Sequence, residues 1–64
     1  MEKMIEEWID THYEELRNLS DDDAELEIIR YWGYGWYKDY AWNYYTQRLH
    51  KELRERNLFS NNLF

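Results

Sequence analysis

Apolar residues recur at steps of three and four from the first position: Met1, Met4, Ile5, Trp8, Ile9, His12, Tyr13, Leu16 and Leu19. Polar side chains fill nearly every position between them. On a 3.6-residue helix this rhythm lines up one apolar stripe, so it predicts an amphipathic helix over 1–19. Ser20-Asp21-Asp22-Asp23 then reads as a stop and restart. Ser20 or an aspartate can cap the next helix by accepting a hydrogen bond from an early backbone N–H. The three carboxylates also suit the positive end of that helix. A second helix is expected over about 22–32, with Ala24, Ile28, Ile29, Tyr31 and Trp32 as its apolar positions. Gly33 and Gly35 interrupt it, because glycine weakens helices and permits positive φ.

A third helix is expected over about 36–56. Trp42, Tyr45, Leu49 and Leu53 form one stripe, and Tyr37, Ala41 and Tyr44 another. Asn57 is the expected C-terminal cap, and 57–64 the C-terminal tail. That tail repeats Asn-Leu-Phe at 57–59 and 62–64, and one copy is available to dock on the core. A β-hairpin over 26–42, turning at Gly33-Tyr34-Gly35, is the alternative for the middle of the chain, since aromatics favour strands. The expected architecture is therefore all-α: a single domain over 1–64 made of three helices, or a helical hairpin broken at the glycines, with dimerisation as one way to enlarge its core.

Length makes that last point matter. A chain of 64 residues forms one domain at most and buries only about 60% of its unfolded surface. Small domains are usually reinforced by disulfides, metals or oligomerisation. There is no cysteine, which removes disulfides and thiolate metal sites. His12 and His50 are the only imidazoles, too few for a recognisable zinc set. No cofactor or metal is expected, and a homo-oligomer is the remaining reinforcement. Apolar runs are too short to span a membrane, and Met1-Glu2-Lys3 leads directly into the acidic helix rather than into a targeting segment. A cytoplasmic location is the expectation.

The net charge of −6 is unevenly distributed. Residues 1–27 carry eleven acids against Lys3 and Arg17, a net of −9, and residues 28–64 carry three acids against six bases, a net of +3. Direct binding to a nucleic-acid phosphate backbone needs clustered Lys and Arg and is not expected at this net charge. Glu2, Glu6, Glu7, Asp10, Glu14 and Glu15 place a negative charge about every 3.3 Å along a helix axis. A DNA strand carries one phosphate per about 3.4 Å. With Asp21, Asp22 and Asp23 these acids form a candidate partner-binding set for a site built to receive a nucleic-acid backbone.

Aromatic residues supply the second candidate set. Nine of the fifteen residues from Tyr31 to Tyr45 are aromatic, more than one small core can take. Tyr and Trp combine apolar area with a polar handle and are enriched at interface hot spots. Trp32, Tyr34, Trp36 and Tyr37 are the candidate aromatic anchors. No catalytic constellation is recognisable. The hydroxyls Thr11, Ser20, Thr46 and Ser60 form no motif with a histidine, and His50-Lys51-Glu52 lacks the cysteines that a zinc deaminase requires.

The expected function is thus non-enzymatic: a small acidic protein that binds and inhibits a basic DNA- or RNA-binding protein by DNA mimicry. In size, charge and aromatic load the chain resembles the general type of small phage or mobile-element inhibitors that bind a host protein, some of which imitate DNA. That resemblance is one of kind and assigns no residues. The alternative is a homo-oligomeric structural or regulatory adaptor whose aromatic block is a subunit interface. An aromatic platform for single-stranded RNA beside Arg48, Lys51, Arg54 and Arg56 is a further reading, opposed by the acidic half.

Overall fold

A computed structural model describes the backbone of residues 1–61 and the side chains of residues 1–56. Three helices follow in order: α1 (Glu2–Arg17), α2 (Asp21–Trp32) and α3 (Trp36–Asn61). No strand is present among the described residues, and the fold is a small all-α three-helix domain. The hairpin alternative over 26–42 is corrected: this stretch is the end of α2, a short glycine link and the start of α3. Gly33 and Gly35 have φ of +77° and +111° and do turn the chain, but between helices. Ring packing across helices, rather than strand pairing, uses the aromatics.

The elements end for local reasons. The last turn of α1 tightens, with the Asn18 N–H donating to the Glu15 carbonyl at 3.3 Å and the Leu19 N–H to Leu16 at 3.1 Å. Ser20 caps α2 as expected, its Oγ accepting from the Asp23 N–H at 3.2 Å. The Gly33 N–H closes α2 on the Ile29 carbonyl at 2.7 Å, and the Gly35 carbonyl accepts from the Asp39 N–H at 3.2 Å to open α3. The expected cap at Asn57 is also corrected, because α3 continues to Asn61. Nothing after Arg56 resembles a helix breaker as strong as the two glycines. Docking of a tail Asn-Leu-Phe copy lies outside the described residues.

Ile5, Ile9, Tyr13 and Leu16 of α1, Ala24 and Ile28 of α2, and Ala41 and Tyr45 of α3 form the buried core. Tyr45 is the largest of the fully buried side chains. Trp8, Trp32, Tyr37, Tyr40, Trp42, Tyr44 and Leu49 pack around it, half-buried. Aromatic rings therefore form a collar about a small centre of aliphatic side chains and the rings of Tyr13 and Tyr45.

Contacts between α1 and α3 advance in the same direction along both helices. Tyr40 donates to Glu6, Tyr44 to Asp10 at 3.1 Å, and Tyr13 to Glu52. The two helices therefore run parallel, with α2 returning between them. Arg17 at the end of α1 reaches Glu52. From there α3 continues to Asn61, projecting roughly 13 Å beyond α1 at 1.5 Å per residue.

Candidate functional site

Parallel packing redistributes the charges that the chain order separates. The basic half of α3 lies beside α1, and Arg48 pairs with Asp10 while its guanidinium sits 4.1 Å from the Tyr13 ring centroid. Lys38 pairs with Glu25 of α2 at 3.1 Å. Arg17 and Arg56 both meet Glu52, the latter at 3.3 Å, and Arg30 meets Glu27 at 3.3 Å. Five of the eight bases thus have carboxylate partners within the chain, leaving Lys3, Lys51 and Arg54 without one among the described residues.

The nine candidate acids divide accordingly. Glu6 and Asp10 face α3 and accept hydrogen bonds from Tyr40 and from Tyr44 and Arg48. Glu2, Glu7, Glu14, Glu15, Asp21, Asp22 and Asp23 are exposed, and none has a cationic partner among the described residues. Glu7 and Glu14, two turns apart, share the outward stripe of α1. Withdrawal of Glu6 and Asp10 leaves four outward acids on α1, about one per 5 Å of axis. This is coarser than the spacing along the sequence.

The seam between α1 and α3 shifts the tyrosines. Burial, then the hydrogen bond to Glu52, pushes the Tyr13 phenol up to about 12. The bond to Glu6, then burial, pushes Tyr40 up to about 12. Tyr44 is raised by burial and by Asp10, and Tyr45 by burial first. Glu52 is held below the ordinary carboxylate range, chiefly by the Tyr13 hydroxyl and then by Arg17, Arg56 and Arg48, with desolvation opposing them. These groups stitch helices together. The open cleft of about 1170 Å³ along this seam is lined by the paired Asp10, Arg17, Arg48 and Glu52 and by Glu14, Lys51, Arg54 and Glu55, unpaired among the described residues, so its acids and bases balance in number.

The four candidate anchors also divide. Tyr34 is 81% exposed and Trp36 52%, while Trp32 and Tyr37 are half-buried against the core. The buried Trp32 indole N–H has no partner among the described residues, so its ring rather than its polar handle is what the fold uses. Sequence reasoning left out Trp8 and Tyr31. Trp8 stacks on His12 at 4.4 Å and on Tyr31 at 4.9 Å, and Tyr31 remains 63% exposed. Ring contacts continue from Tyr31 to Trp32, Tyr37, Trp36 and Tyr40, a continuous belt across all three helices. The one available signal was the four-residue spacing of Trp8 and His12. Nothing in the chain order separates exposed Tyr31 from packed Trp32.

Against known proteins, the chain matches no family model, no curated protein and no solved structure. Among the described residues no group of three or more His, Asp or Glu side chains is placed to hold a metal ion. No helix among them is long and apolar enough to cross a membrane. An acidic exterior adjoining an exposed aromatic belt is what the fold presents.

Proposed function

We propose that this is a non-enzymatic binding protein that occupies the basic nucleic-acid site of a DNA- or RNA-binding protein and so inhibits it. The observation that carries the reading is the division of charge. Five bases are engaged within the fold, whereas seven of the nine candidate acids are exposed without a cationic partner among the described residues. Internal pairing leaves the net charge at −6, and the charge left unpaired at the surface among the described residues is mostly acidic. Such a field accelerates encounter with a basic groove and disfavours acidic partners. Exposed rings of Tyr34, Trp36 and Tyr31 supply apolar contact beside it.

Binding to a basic nucleic-acid-binding protein should weaken steeply with salt, and the target's nucleic acid should compete. Calorimetry at several salt concentrations, with and without oligonucleotide, tests both. Salt-insensitive, non-competitive binding removes the reading. A second reading is favoured by exposure of Met1, Met4, Tyr31, Tyr34 and Trp36: these side chains form a subunit interface in a homo-oligomer. Sedimentation across concentrations distinguishes it, since a monomer at all of them excludes a subunit interface. A dimer that also binds the basic target would satisfy both.

A further inference from the structure

We propose that the groove between α1 and α2 is a receptor for an arginine side chain of the partner's basic surface. The inference deepens the reading of the chain as a binder of a basic protein and rests on it. The groove encloses about 420 Å³. Trp8, His12, Leu16 and Tyr31 supply its apolar walls, and Glu15 and Glu27 its carboxylates.

The wall is prearranged. The Trp8 ring stacks on His12 at 4.4 Å and on Tyr31 at 4.9 Å. His12 Nδ1 lies 2.8 Å from the Trp8 carbonyl oxygen, which can only accept, so Nδ1 carries the proton and the ring is fixed one turn from Trp8. Tyr31 is 63% exposed despite its stacking, so part of its ring remains available to a ligand.

The chain's own arginines show that these parts suit a guanidinium. At the α1–α3 seam, Arg48 lies 4.1 Å from the Tyr13 ring centroid while pairing with Asp10. The groove offers the same combination, a tyrosine ring beside carboxylates, in an open setting. Its resident cation is Arg30, whose side chain is 77% exposed and, among the described residues, pairs with Glu27 alone, at 3.3 Å. A pair that exposed is weakly held and can yield to an incoming group. Arginine suits the groove better than lysine. Its planar, weakly hydrated guanidinium can stack on a ring while forking to a carboxylate, whereas an ammonium meets only the charge.

The test uses the full chain at low salt, with fluorescently labelled nona-arginine and nona-lysine peptides read by anisotropy. Nona-arginine should bind more tightly. Tyr31→Ala should weaken it about two- to fivefold and leave nona-lysine nearly unchanged. Tyr31→Leu keeps apolar bulk without the tyrosine ring and serves if the alanine variant loses helicity. Arg30→Ala should tighten nona-arginine more than Arg54→Ala, which removes the same charge elsewhere. Equal affinity for the two peptides, with Tyr31→Ala silent and Arg30→Ala matching Arg54→Ala, overturns the groove and leaves the acidic-surface reading standing. Binding of neither peptide overturns both.

Discussion

Ser20 and Gly33 carry the two corners of the fold, and each does so through one property. The Ser20 hydroxyl satisfies the Asp23 N–H at the start of α2. Ser20→Ala is expected to lower unfolding free energy by about 1 kcal/mol in urea, and Ser20→Asp to retain most of it. At Gly33, with φ of +77° and ψ of −170°, the backbone occupies a region essentially closed to other residues. Nothing lies within 4 Å of where a Cβ would stand, so the cost of substitution is conformational rather than steric. Gly33→Ala should therefore destabilise by about 1–3 kcal/mol, measured by thermal and urea unfolding. Both corners were legible in the sequence, because a cap and a positive φ each favour a short menu of residues. The individual fates of Glu6 and Glu7 were not. They are neighbours in the chain, yet one faces α3 and the other water.

The pairing of α1 with α3 decides the element scale. Tyr13 and Tyr40 are both pushed up to about 12 from an ordinary 10.0. Raised values mean that the folded state favours the protonated phenols. Below pH 10 the phenols are protonated in both states and the contribution is complete. Between about pH 10 and 12 the unfolded chain ionises first, and the contribution is lost. Helical ellipticity in urea should show stability falling across that window, with a shallower fall in Tyr40→Phe. Glu52 behaves oppositely. Its depressed value contributes stability above the ordinary carboxylate range, which disappears as pH falls through the folded value. Glu52→Gln should flatten the acid limb of the same profile. Helix periodicity announced the elements themselves. It could not announce their relative direction, since that depends on which side chains meet across a gap.

At the scale of the whole molecule, a small core places much of the stability in few residues. Ile9 is fully buried among side chains from all three helices. Ile9→Ala should cost about 2–5 kcal/mol, a large share of what a domain this size possesses, and urea denaturation with circular dichroism measures it. The aromatic collar shields the centre on several sides but leaves Tyr31, Tyr34 and Trp36 facing water. Their exposure bears on whichever partner the molecule meets, whether the basic target or a second copy.

The chain order by itself determined the three helices, the cap at Ser20, the glycine link and the acidic excess. Each is set by local periodicity, local backbone preference or simple counting. Only the tertiary structure decided which charges are spent. Parallel packing of α1 and α3 brought Arg48 to Asp10, and the return of α2 brought Glu25 to Lys38, so the −9 and +3 halves became neighbours rather than opposite ends. It turned Glu6 and Asp10 toward α3 and left seven candidate acids without a partner from another helix among the described residues. It also joined Trp8 to Tyr31 across 23 residues of chain, creating a groove that neither helix contains alone. Pairings between distant residues depend on helix direction and rotation, and those are settled by the burial of the core and not by any local stretch of sequence.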